Sequence, residues 1–191
     1  MGLPKVNGGF DAAAYLAWEE AQPERNEYIA GEVFAMVGVR QSHNVATLNL
    51  ATILRRELKG SPCRVFVESV KTRVEAADCF FYPDVVVTCD PRDRQTPDYI
   101  SHPTLVVEVL SDSTAAFDRG AKFAAYRKLE SLQEYVLVDV AAQRVDVREN
   151  ADTRGNEEKG HVSQQKVRRV PQCLGAKHTD KQKGKQQKHR S

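Results

Sequence analysis

Two acidic residues stand inside strongly apolar, β-branched runs: Asp84 in Tyr82-Pro83-Asp84-Val85-Val86-Val87 and Glu108 in Leu105-Val106-Val107-Glu108-Val109-Leu110. An ionised carboxylate in such a run is costly to bury unless a metal, a cationic partner or a proton compensates it. Directly after the second run, Ser111-Asp112-Ser113-Thr114 supplies N-cap candidates for a helix carrying Asp118 and Lys122. Four residues apart, these two share one helix face. Two acids and a lysine able to converge are the parts of metal-assisted phosphodiester hydrolysis. Mg²⁺, or Mn²⁺ in its place, takes one or two carboxylates, while an ammonium orients water or stabilises charge on phosphorus. Each residue also has a plainer reading. Asp84 can cap a turn, Glu108 can sit in a buried ion pair, and Lys122 can pair with Asp118 on the surface.

The flanking segments supply the scaffold. Asp11 caps a helix over 12–20, and Pro23 marks its end. Two short apolar runs around Ala30-Gly31 predict a hairpin over 27–37, with Glu32 at the start of its second strand. A helical stripe of Thr47, Leu50, Leu54 and Leu58, shared by His43, predicts a helix over 42–58 that Gly60 and Pro62 stop. The alternation near Val70, Thr72 and Val74 predicts one strand over 64–75, and 89–103 has loop composition. Two more strands, 135–140 and 144–147, flank a short connection. Strands on both sides of a helix indicate an α/β (α+β) fold, a mixed sheet flanked by helices.

The chain has 191 residues, 41% of them apolar, enough for one respectable core. No apolar run approaches the roughly 20 residues of a membrane span, so the expectation is a cytoplasmic protein without membrane attachment. The four cysteines, 63, 79, 89 and 173, lack the close spacing of zinc sites and are expected to be free thiols. Charge divides the chain. Residues 1–148 hold 17 Lys and Arg against 21 Asp and Glu, net −4, whereas 149–191 hold 11 against 5, net +6. The second part also lacks any sustained period of 2 or 3.6. It is expected to be a disordered basic tail, or an aberrant end, behind a domain spanning 1–148.

Six ordered blocks then carry a resemblance over residues 10–148: Tyr-Ile-Ala-Gly-Glu (28–32), Gln-Ser-His-Asn (41–44), Tyr-Pro-Asp-Val-Val-Val (82–87), Val-Val-Glu-Val-Leu-Ser-Asp-Ser-Thr (106–114), Asp-Arg-Gly-Ala-Lys-Phe-Ala-Ala-Tyr (118–126) and Glu-Tyr-Val-Leu-Val-Asp (134–139). Together they resemble the Uma-two family of the PD-(D/E)XK nuclease superfamily. The resemblance implies a restriction-endonuclease-like core with a divalent-metal site at its edge. Asp84 and Glu108 then match the metal-binding acids. The superfamily's usual lysine place, two residues after the second acid, holds Leu110 here, which shifts that role to Lys122. Glu32 is implied as a further catalytic acid, with His43 and Asp118 in support.

The function expected is a Mg²⁺- or Mn²⁺-dependent DNA endonuclease. On this reading Lys122 acts in chemistry and its loss spares the melting temperature. The rival is a non-catalytic nucleic-acid-binding or interaction module that keeps the fold, which Leu110 motivates. Since the acidic core opposes unaided binding to phosphates, a homodimer or the basic tail would have to supply positive charge.

Overall fold

The computed structural model describes residues 9–150 and the backbone of 166–169. Helix α1 (Ala12–Glu20) starts at Asp11, whose carboxylate accepts the Ala14 amide at 2.7 Å. Strands β1 (Asn26–Ile29) and β2 (Glu32–Ala35) form the expected hairpin. Both turn residues have positive φ, 46° at Ala30 and 92° at Gly31, as a two-residue turn matched to strand twist requires. Helix α2 (Gln41–Glu57) follows.

The strand expected over 64–75 is two strands in two sheets: β3 (Arg64–Val67) and β4 (Lys71–Val74). The chain returns in the same divided way through β5 (Cys79–Phe81) and β6 (Val85–Thr88), so the 82–87 run is strand only from Val85 onward. β4 pairs with β5 and β3 with β6, both antiparallel. These four strands make one bent ribbon passing from sheet to sheet, with Glu68–Val70 and Tyr82–Asp84 opposed at the bend. The Glu68 amide donates to the Asp84 carbonyl across it at 3.2 Å. Alternation alone reads through such a bend, because residues on both sides keep the same polar-apolar rhythm.

Strand β7 (Tyr99–Ile100) adds parallel to β4 and completes a five-stranded sheet in the order β2-β1-β5-β4-β7. Strand β8 (Leu105–Val109) leads to α3 (Ala115–Arg119) and α4 (Ala121–Tyr126), then to β9 (Glu134–Asp139), which lies parallel to β8. The expected helix is therefore broken, at Gly120 (φ −114°, ψ −98°). Strands β10 (Arg144–Glu149) and β11 (Lys166–Arg169) complete a six-stranded sheet in the order β11-β10-β9-β8-β6-β3.

The six-stranded sheet is covered on both faces. Val85, Val107, Val109 and Val138 pack with Ala46, Ala51, Leu50 and Leu54 of α2, and Val86, Val106, Tyr135 and Leu137 pack with Ala125 and Tyr126 of α4. The five-stranded sheet buries Tyr28, Val33 and Phe80 against Tyr15 of α1. This mixed α+β architecture agrees with the fold expected. Among the described residues, no helix is long and apolar enough to cross a membrane.

The expectation of free thiols is corrected. Cys63 and Cys89 form a disulfide, whereas Cys79 is a buried free thiol and Cys173 lies outside the described residues. The antiparallel β3–β6 register, which pairs Arg64 with Thr88, carries on to oppose the two cysteines. Some residues beyond the expected boundary at 148 pair with the sheet. Glu149 pairs with Glu134, buried Asn150 donates through Nδ2 to the carbonyls of Arg127 and Leu129 at 3.2 Å, and Lys166–Arg169 pair with β10. A strand can be held on an edge by main-chain pairing without an apolar pattern of its own. The rest of the expected disordered tail, 151–165 and 170–191, lies outside the described residues.

Candidate functional site

The site lies where the bent ribbon crosses between sheets. Asp84 occupies the crossing, and the register that pairs Val85 with Val107 continues to set it across from Glu108. Its carboxylate is held from two sides: Oδ2 accepts the Val109 amide at 2.6 Å, and Oδ1 lies 2.8 Å from His43 Nε2. His43 comes from the first turn of α2, so helix and sheet fix this carboxylate together. Alternation along β8 sends Val107 and Val109 toward α2 and Glu108 toward α3 and α4.

On that side waits Lys122, only 5% exposed beside a Glu108 that is 3% exposed. Lys122 Nζ lies 3.0 Å from Glu108 Oε1, 3.0 Å from Glu27 Oε1 and 3.9 Å from Asp118 Oδ1. It also sits 5.4 Å from the Phe81 ring centroid. Asp118 and Lys122 straddle the break at Gly120 yet both remain buried and within reach, as their spacing implied. Lys122 is thus no surface residue. Formally, one ammonium faces three carboxylates, which leaves two negative charges in excess. In a buried cluster such an excess calls for protons or a divalent cation.

The acid–base balance follows from that crowding. Burial pushes the Glu108 carboxyl well above its usual range; Lys122 opposes this, and the charges of Asp84, Asp118 and Glu27 add to it. Asp118 is likewise raised, first by burial, against the pull of Lys122 and a Thr114 hydrogen bond. For Lys122, burial acts downward but is outweighed by Glu108, Glu27, Tyr126 and Asp118, so its pKa is raised well above normal. It is an ammonium throughout the neutral range. His43 behaves similarly: burial pulls its pKa down, but the hydrogen bond and charge of Asp84, with Glu68 and Asp118, leave it raised.

The structure thus brings Asp84, Glu108, Asp118, Lys122 and His43 into one neighbourhood. Glu32 stands apart, exposed at the start of the edge strand β2. The acid that enters the cluster from that hairpin is Glu27, on the inner strand β1, whose Oε1 also accepts the Tyr82 amide at 3.1 Å. Sequence reasoning passed over Glu27, although Tyr28 and Ile29 beside it marked a strand. It also passed over Glu68, at the ribbon bend. One ligand atom each from Glu68, His43 and Asp84 lie within 4.8 Å of one another, so these three could hold a metal.

Comparison with known proteins places this geometry in context. The family model Uma2, "Putative restriction endonuclease", matches residues 12–177. Two proteins of Synechocystis sp. are similar: slr1290, 42% identical over 133 residues that make up 70% of each chain, and sll1609, 36% identical over 137 residues covering 71% of this chain and 77% of that one. Both are uncharacterised. Among solved structures, a "putative nuclease belonging to DUF820" from Anabaena variabilis superposes with a TM-score of 0.61 at 19% identity, covering 82% of this chain and 84% of the other. At that identity the likeness concerns the fold, which is restriction-endonuclease-like.

Proposed function

Because the chain belongs to the Uma2 family of restriction-endonuclease-like proteins, we propose that it is a divalent-metal-dependent endonuclease hydrolysing phosphodiester bonds in DNA. One observation carries this reading: Asp84 and Glu108 oppose each other at the sheet crossing, inside a cluster whose carboxylates exceed its one ammonium. The donor set is all carboxylate oxygen, which fits Mg²⁺ or Mn²⁺. Asp84 and Glu108 would hold the ion, which when bound lowers the pKa of a coordinated water and neutralises charge on the phosphate.

The chain's own residues have distinct tasks on this reading. The Val109 amide and His43 hold the Asp84 carboxylate in one orientation from opposite sides. Lys122 holds Glu108 and supplies a fixed positive charge. With its pKa raised it stays an ammonium that stabilises charge and does not act as a base. Asp118 and Glu27 hold Lys122 in place. Leu110 at the superfamily's usual lysine place, together with a Lys122 already engaged by carboxylates, favours a second reading: a nucleic-acid-binding module that keeps the fold without cleaving.

Incubation of the full chain with linear, supercoiled and single-stranded DNA in Mg²⁺ or Mn²⁺, beside Asp84→Asn and Glu108→Gln, tests both. Cleavage by wild type and background levels for the variants is the expected result. DNA binding without cleavage under every condition would select the second reading, and cleavage by both variants at the wild-type rate would remove these acids from the mechanism.

A further inference from the structure

At Asp84, three residues from three elements meet. His43 comes from the first turn of α2, Glu68 from the bend after β3, and Asp84 from the opposing bend before β6. A ligand atom from each lies within 4.8 Å of the others, a separation one small cation can bridge.

Several independent features converge here. Glu68 has φ of 47°, a left-handed conformation that costs a non-glycine residue roughly 1 kcal/mol or more and persists where the surroundings impose it. Its amide is tied to the Asp84 carbonyl at 3.2 Å, and its carboxylate takes only a long 3.4 Å contact from Asn44 Nδ2. The His43 ring is buried, with Nε2 at Asp84 and Nδ1 lacking a hydrogen-bond partner. Among the described residues no lysine or arginine pairs with Glu68 or Asp84. Glu108 differs in having Lys122. The ribbon bend therefore gathers two carboxylates and an imidazole, with no lysine or arginine among the described residues paired to either acid.

We propose that His43, Glu68 and Asp84 form a divalent transition-metal site that selects ions of the Mn²⁺ class over Mg²⁺. One imidazole nitrogen and two carboxylate oxygens make a mixed donor set, which suits first-row transition ions, whereas Mg²⁺ favours oxygen and keeps its waters. The site shares Asp84 with the proposed nuclease centre and deepens that reading, but its occupancy does not depend on DNA cleavage.

The test is spectroscopic and uses the full-length protein. Mn²⁺ bound to wild type is examined by electron spin echo for coupling to imidazole nitrogen, with ¹⁵N-histidine labelling to assign it. Mn²⁺ and Mg²⁺ affinities are measured by calorimetry for wild type, His43→Gln, Glu68→Gln and Glu108→Gln. Nitrogen coupling in wild type and Glu108→Gln, its loss in His43→Gln, and Mn²⁺ binding weakened about tenfold or more in Glu68→Gln with little change for Mg²⁺ are expected. Absence of histidine coupling in the labelled wild-type protein, or unaltered Mn²⁺ affinity in Glu68→Gln, overturns the proposal. The labelled wild type and the near-isosteric glutamine variants keep it refutable even if His43→Gln folds poorly. Coupling without cleavage sinks the nuclease reading alone; cleavage without coupling sinks this one alone.

Discussion

Replacing Lys122 by methionine removes the one ammonium held among Glu27, Glu108 and Asp118 at 3.0, 3.0 and 3.9 Å. From sequence alone Lys122 belonged to chemistry, so its loss was expected to spare the melting temperature. Burial reverses that expectation. Removing one partner of a buried ion pair leaves uncompensated charge and costs about 3–5 kcal/mol. At roughly 2–4 °C per kcal/mol for a chain of this size, Tm should fall by about 6–20 °C. The loss should depend on pH with a definite sign. Glu108 and Asp118 already have raised carboxyl pKa values, and removing the ammonium raises them further. A carboxyl with a raised folded-state pKa favours folding below its unfolded value near 4 and loses that contribution as pH rises through the folded value. Lys122→Met should therefore be more destabilised at pH 8 than at pH 5, because lowering the pH favours proton uptake by Glu108 and Asp118. Thermal unfolding followed by circular dichroism at both pH values measures this, and the double variant Lys122→Met/Glu108→Gln should regain part of the loss. A Tm at pH 8 within a degree or two of wild type would refute the assignment of Lys122 as the cluster's neutralising charge.

Four further outcomes are expected. The raised His43 pKa means that its pairing with Asp84 stabilises the metal-free fold below the ordinary imidazole value of 6.5 and loses that effect as pH rises through the folded value; the stability gap between wild type and His43→Gln should be wider at pH 5.5 than at pH 8.5, and a gap independent of pH counts against the pair. The Cys63–Cys89 disulfide closes a loop of 26 residues, so reducing it should lower stability by up to roughly 3 kcal/mol, visible as a lower denaturant midpoint in dithiothreitol that is absent in Cys89→Ser. A chain ended after Asn150 loses β11 and bares the outer edge of β10, and light scattering should find more association than in the full chain, unless β11 contributes no cover. The same truncation removes all 11 basic residues counted beyond 148, so its DNA affinity should fall at low salt and converge with that of the full chain at high salt, and equal affinities at low salt would deny those residues a binding role.

Much of this was legible in the amino-acid sequence for local reasons. Asp84 and Glu108 interrupt β-branched runs, and the cost of burying a carboxylate there marks them whatever the fold. The Asp118 and Lys122 pair follows from four-residue spacing, and the β1–β2 hairpin from Ala30-Gly31 between two apolar runs. What the sequence left open depended on partners distant along the chain. Glu27 and Glu32 are both acids flanking one turn, and only the sheet order decides between them: β1 lies between β2 and β5 and carries Glu27 to Lys122, whereas β2 is the edge and leaves Glu32 in solvent. Glu68 looks like an ordinary polar residue after a strand until the bend of the β3–β6 ribbon sets it against Asp84. Cys63 and Cys89 meet for the same reason, through the register of two antiparallel strands. Spacing within an element fixes which residues share a face, but which faces meet is decided by strand order and register, and those are fixed only when the whole chain packs.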